Sequence, residues 1–264
     1  MQRQPVRIRL LGELEVRRSD GSFVALEEWR TGKTRDLLRL LALADGHPVR
    51  ASTLIDKLWP EAPSSRARNS LRTAASQIRR TAQEPCVVRQ ADALTLVNAW
   101  VDVNQFRTLG RRLQLAARGD APAEVLTYAR AAEWLYRDDF HAHDDDSPWA
   151  VAERDELRQL RQQMLSDASV AALDQQLFRE ALDLATTAVR LDPTSETAHR
   201  SLMRAHAELG EVGMALRVFE SYRAHLADEL GVDPSPQTQE LHLHLLRGAA
   251  DGKQASRRAY PTAG

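Results

Sequence analysis

Between Ser64 and Ala82 the sequence sets Arg66, Arg68, Arg72, Arg79 and Arg80 among Asn69, Thr73, Ser76 and Gln77, with no acidic residue in the run. Guanidinium groups neutralise phosphates and fork onto guanine edges, and Asn or Gln amides do the same on adenine. The chemistry on offer is recognition of a nucleic-acid duplex, not the making or breaking of bonds. Leu71, Ala75, Ile78 and Ala82 recur at helical spacing. At about 100° per residue, the face opposite Leu71, Ala75 and Ile78 holds Arg66, Asn69, Thr73, Ser76, Gln77 and Arg80, with Arg72 and Arg79 on its flanks. A solvated surface normally mixes both signs of charge, so this helix is expected to read DNA.

Other chemistry finds little support. Gly32-Lys33-Thr34 resembles the end of a phosphate-binding loop, but the glycine that such a loop needs falls at Glu27. Its expected role is to start a helix, with Lys33 or Arg35 near a phosphate. His141, His143, Asp144, Asp145 and Asp146 lack the spacing of a metal site and read as a solvated loop. No nucleophile, triad or paired-carboxylate arrangement can be picked out. Neither an enzyme nor a cofactor nor a metal is expected.

The elements that must hold the basic helix can be read around it. Residues 6–26 alternate as short strands (Ile8 and Leu10, Leu14 and Val16, Val24 and Leu26) with Ser19-Asp20-Gly21 as a turn. Thr34 to Ala44 is a leucine-rich helix stopped by Gly46 and Pro48, and Ser52 can cap a short helix that Pro60 ends. After the basic helix, Val87-Val88-Arg89 and Leu94-Thr95-Leu96 read as a hairpin, with Arg89 as its basic residue. Three helices and a hairpin make a winged helix, in which the third helix enters the major groove and the wing lies along the backbone.

From Val101 on, the pattern is helical, in segments at 103–117, 121–136, 151–173, 178–191, 196–209, 212–230 and 236–246. Ala181, Ala185 and Ala188 recur 34 residues later as Ala215, Phe219 and Tyr222, the period of a tetratricopeptide repeat. The expected fold is therefore mainly α with small β-sheets: an N-terminal winged helix-turn-helix followed by an all-α, tetratricopeptide-like repeat domain. Expected bounds are 1–98, 99–247 and a disordered tail at 248–264. Charge follows the same division: residues 1–98 hold 17 Lys or Arg against 11 Asp or Glu, and residues 99–264 hold 19 against 26. Cys86 is the single cysteine, which fits a reducing compartment. No apolar run approaches the roughly 18–20 residues of a membrane span, so a cytoplasmic, nucleoid-associated protein without a membrane partner is expected.

Leu54-Ile55-Asp56-Lys57-Leu58-Trp59-Pro60, Ala67-Arg68-Asn69-Ser70-Leu71-Arg72 and Ile78-Arg79-Arg80 resemble the OmpR-type winged helix of the SARP regulators, the pathway-specific antibiotic regulators of actinomycetes. Val101-Asp102-Val103-Asn104-Gln105-Phe106 and the closing string from Leu226 to Pro236 are similar to their bacterial transcriptional activation domain. The family's wing usually carries Gly-Tyr where this chain has Asp92-Ala93. The resemblance implies an activator that binds direct repeats in double-stranded promoter DNA, as a homodimer there, and recruits RNA polymerase through its sigma factor or alpha subunit. Arg66, Arg68, Arg72, Arg79, Arg80 and Arg89 are then expected on phosphates or guanines, and Asn69, Thr73, Ser76 and Gln77 on bases. The competing reading is a protein-binding scaffold whose winged helix has lost DNA contact.

Overall fold

The computed structural model describes residues 4–141 and 147–259, the side chains of 249–259 excepted. Its contacts divide the chain into two compact units, Met1–Thr108 with Ala132–Leu157, and Leu109–Ala131 with Arg158–Gly264. The fold is mainly α with two small three-stranded sheets, a winged helix and a helical repeat, as the sequence implies.

In the first unit, β1 (Val6–Arg9) lies between β2 (Glu15–Arg17), antiparallel, and β6 (Ala99–Val101), parallel. Alternation sends Val6, Ile8, Val16 and Val101 into the core and leaves Arg7 and Arg17 exposed on the other face. A third strand expected at Val24–Leu26 is reduced to one bridge, Arg17 to Phe23, and a 3-10 turn at Leu26–Glu28. The Glu28 carboxylate caps its start by accepting the Ala25 amide at 2.9 Å. Strand β6 was not expected, because three residues are too few to show a period of two. The expected boundary at residue 98 falls just before this strand.

The winged helix follows in order: α1 (Gly32–Leu43), β3 (Val49–Arg50), α2 (Ala51–Leu58), α3 (Ser64–Ala82), β4 (Val87–Gln90) and β5 (Ala93–Leu96), the strands pairing as β3-β5-β4. Thr31 caps α1 by accepting the Thr34 amide at 3.2 Å. Ser52 does not cap α2; the helix runs straight out of β3, and the Ala51 amide is met by the Asp92 carbonyl at 2.8 Å, so the wing supplies the partner. Helix α3 ends at Gln83, whose φ of 56° turns the chain away. Asp102, which opens α4 (Asp102–Arg118), is fully buried. Its carboxylate accepts the amides of Leu10 (2.8 Å), Leu11 (3.1 Å) and Val103 (2.8 Å). Burial pushes that carboxyl above the usual range, against these three bonds.

Helices α5 (Pro122–Leu135) and α6 (Pro148–Asp174) precede the repeats. In the second unit α7 (Phe178–Leu191), α8 (Glu196–Glu208), α9 (Val212–Leu230) and α10 (Pro236–Ala259) stack, each on the next. Ala181, Ala185 and Ala188 and their counterparts Ala215, Phe219 and Tyr222 are all buried, so the 34-residue period is one of core contacts. His199 stacks on Tyr222 at 4.0 Å and His242 on Phe219 at 3.9 Å. The closing motif is tied back to α8: Glu196 Oε1 accepts the Ser235 amide at 2.9 Å and the Thr238 hydroxyl. The backbone of α10 runs through the front of the expected tail, while residues 260–264 lie outside the described ones.

Candidate nucleic-acid interface

Helix α3 buries Ala67, Leu71, Ala74, Ala75, Gln77, Ile78, Thr81 and Ala82. The buried arc is thus wider than Leu71, Ala75 and Ile78 alone define. Arg66, Arg68, Asn69, Arg72, Thr73, Ser76 and Arg80 are exposed together along the remaining face, and Arg79 is half-buried at its edge. Of the ten expected contact residues, Gln77 is the exception. It is only 8 % exposed, and its amide is held inside by the Thr34 hydroxyl at 3.4 Å and the Glu28 carbonyl at 3.3 Å. Gln77 packs the helix and is turned away from the exposed face.

Arg79 and Arg89 bind the wing to itself and to the helix. Arg79 Nε donates to the Val87 carbonyl at 2.6 Å, and Arg89 Nε to the Ala91 carbonyl at 3.1 Å. Between α3 and the wing lies a cleft of about 380 Å³ lined by Arg68, Arg72, Arg79 and Arg89 over Leu71, Ala75 and Leu94. Asp92 also lines it and was not in the expected set; it is the hairpin's one carboxylate. Gln90 and Ala93 flank a two-residue turn in which Ala91 sits at φ 50°, a left-handed conformation that disfavours a side chain. Cys86 is buried beneath, and burial pushes its thiol up to about 11, which leaves it a packing residue.

The remaining expected chemistry separates clearly. Gly32-Lys33-Thr34 forms the first turn of α1. His141 is not solvated: it is 4 % exposed, with Nε2 3.5 Å from Asp36 Oδ1, and Arg39 lies 2.9 Å from the same oxygen. Burial would raise the Asp36 carboxyl, but the His141 bond and the Arg39 charge outweigh it and hold the group below its ordinary range. His143, Asp144, Asp145 and Asp146 lie outside the described residues. Among the described residues no group of three or more His, Cys, Asp or Glu could hold a metal, and no helix is long and apolar enough to cross a membrane.

A basic, carboxylate-free helix face over a three-stranded wing, joined to stacked helical hairpins, defines a winged-helix protein with a helical-repeat half. Residues 101–246 match the family of the bacterial transcriptional activator domain. The chain belongs to that family, and its resemblance to the SARP regulators is borne out. The regulatory protein AfsR of Streptomyces coelicolor is 31 % identical over 230 residues, covering 83 % of this chain and 23 % of that protein. The transcriptional regulatory protein EmbR of Mycobacterium tuberculosis is 26 % identical over 230 residues, covering 82 % and 58 %. The chain thus spans from about a quarter to somewhat over half of these relatives' length. The structure of Mycobacterium tuberculosis EmbR in complex with a low-affinity phosphopeptide superposes with a TM-score of 0.79 at 22 % identity, over 93 % of this chain and 66 % of that one, and so shares the fold.

Proposed function

We propose that this chain is a sequence-specific DNA-binding transcriptional regulator, an activator that binds direct repeats near a promoter of a secondary-metabolite pathway and recruits RNA polymerase. The observation that carries the reading is the single exposed face of α3, on which Arg66, Arg68, Asn69, Arg72, Thr73, Ser76 and Arg80 stand without a carboxylate. In the major groove, Arg66, Arg68, Arg72 and Arg80 neutralise phosphates or fork onto guanines, while Asn69, Thr73 and Ser76 address base edges. Arg79 holds the wing against the helix, Arg89 braces the wing's own turn, and both add charge beside the backbone. Residues 1–98 supply the DNA contact, and residues 99–247, acidic in sum, present a surface to the sigma factor or alpha subunit, with two protomers on adjacent repeats.

Selection of bound sequences from randomised duplexes, followed by a salt titration of the winner, tests this. Enrichment of a repeated motif is expected, with log K falling by about 0.9 per log unit of salt for each phosphate contact. Weak, uniform binding with no enrichment would instead favour a protein-binding scaffold.

A further inference from the structure

The outer face of the β2-β1-β6 sheet carries a second basic surface, built differently from α3. Arg7 stands directly opposite Arg17 on one neighbour and Trp100 on the other. Like charges directly opposed across a strand pair destabilise it, yet neither Arg7 nor Arg17 forms an ion pair among the described residues. Each guanidinium of the face is seated on a ring instead: Arg7 over Trp100 at 4.5 Å, Arg9 over Trp134 at 5.7 Å and Arg17 over Phe23 at 5.4 Å. Trp134 and Phe23 remain 69 % and 64 % exposed. Arg9 Nε and Nη2 are buried without a hydrogen-bond partner among the described residues. The one carboxylate of the face, Glu15, is already taken by Arg137 at 3.1 Å.

We infer that this face is a docking surface for an acidic segment of a partner protein. Charge decides the class of partner, since Arg7 and Arg17 stand opposite each other with no ion pair among the described residues, whereas Arg9 already has the buried Asp102 carboxylate nearby. The rings decide between protein and nucleic acid. Surfaces that bind single strands offer aromatic faces for bases to stack upon, whereas here each ring already carries a guanidinium on one face. A ring-seated guanidinium is held in place; Arg17 Nε also donates to the Gly21 carbonyl at 2.7 Å, which leaves its two terminal nitrogens as the fork for a carboxylate. Arg with exposed Trp is also the composition of protein-binding hot spots.

The test uses the full chain and three fluorescent probes at low salt: a decaglutamate peptide, a mixed-sequence 30-base-pair duplex and an oligothymidylate. Arg7→Glu with Arg17→Glu is expected to weaken decaglutamate at least tenfold and the duplex less than twofold; Arg68→Glu with Arg72→Glu is expected to do the reverse. Arg17→Lys, which keeps the charge and loses the fork, should still weaken the peptide several-fold. Unchanged melting temperatures establish that these exposed substitutions leave the fold intact. The inference is overturned if wild type fails to bind decaglutamate, if Arg17→Lys binds it normally, or if the sheet variant loses oligothymidylate or duplex as fully as peptide. It does not depend on which sequence α3 reads, because a chain that selects no operator could still bind the peptide.

Discussion

Arg79 Nε donates to the carbonyl of Val87 across 2.6 Å, so the last turns of α3 hold the first strand of the wing. Helix and hairpin therefore form one surface, and Arg79 both makes this bond and lines the cleft between them. Arg79→Met should lower stability by about 1–2 kcal/mol, since it leaves a part-buried carbonyl unmet. It should also weaken binding to every DNA sequence alike. Urea denaturation and binding to two unrelated duplexes would check both; loss on one sequence only would contradict this role.

On the exposed face of α3, substitutions should sort by chemistry. Arg72→Ala is expected to reduce affinity for all duplexes and the salt slope by about 0.9. Asn69→Ala should relax preference at one base pair, a discrimination of about 1–3 kcal/mol. Gln77→Ala should leave preference untouched and cost about 1 kcal/mol of stability, because its amide is spent on Thr34 and Glu28. Competition binding with single-base operator variants separates these outcomes.

Gln77 also marks the limit of what the sequence discloses. The bounds of α3 follow from its own residues, and Ser64 to Ala82 is helical as read. Whether Gln77 faces solvent depends on a hydroxyl 43 residues away and a carbonyl 49 residues away, which no local period encodes. The same holds for His141, whose partner Asp36 is 105 residues distant, and for β6, whose three residues become a strand only beside β1. The long, strongly periodic helices of the repeats carry their own signal, and α7 and α9 fall on the bounds that the pattern predicts.

The wing turn stores strain at Ala91. A left-handed L-residue costs roughly 1–2 kcal/mol, part of which glycine regains at the expense of unfolded-state entropy. Ala91→Gly is expected to raise stability by about 1 kcal/mol, visible as a higher denaturation midpoint. A lower midpoint would mean that the Ala91 methyl makes contacts worth more than the strain.

The closing motif should prove structural through one carboxylate. Glu196→Ala deprives the Ser235 amide and the fully buried Thr238 hydroxyl of their shared acceptor. A loss of about 2 kcal/mol is expected, with increased amide exchange at the start of α10 and little change in the winged helix. Uniform exchange throughout the chain would argue against so local a role.

His199 gives the repeats a dependence on mild acid. Burial lowers its pKa from the ordinary 6.5, against the bond from Nδ1 to the Ser195 carbonyl. The unfolded chain therefore takes up the proton first, so the stability that neutral His199 contributes is complete above about pH 6.5 and declines as pH falls below it. His199→Phe keeps a ring on Tyr222 and removes the titration. Its unfolding free energy should decline less between pH 7 and pH 5 than that of wild type; parallel curves would sink the assignment.

The parallel pairing of Val6, Arg7 and Ile8 with Ala99, Trp100 and Val101, and the amides of Leu10 and Leu11 that wait for Asp102, also set an order of events in the cell. The first strand leaves the ribosome with one edge unpaired and two amides unsatisfied, and the residues that complete it emerge some 90 positions later. At about 5–20 residues per second, translation holds that edge open for roughly 5–20 s. Nascent chains stalled before Ala99 should thus be the ones that chaperones hold, and chains stalled well past Asp102 the first to resist protease.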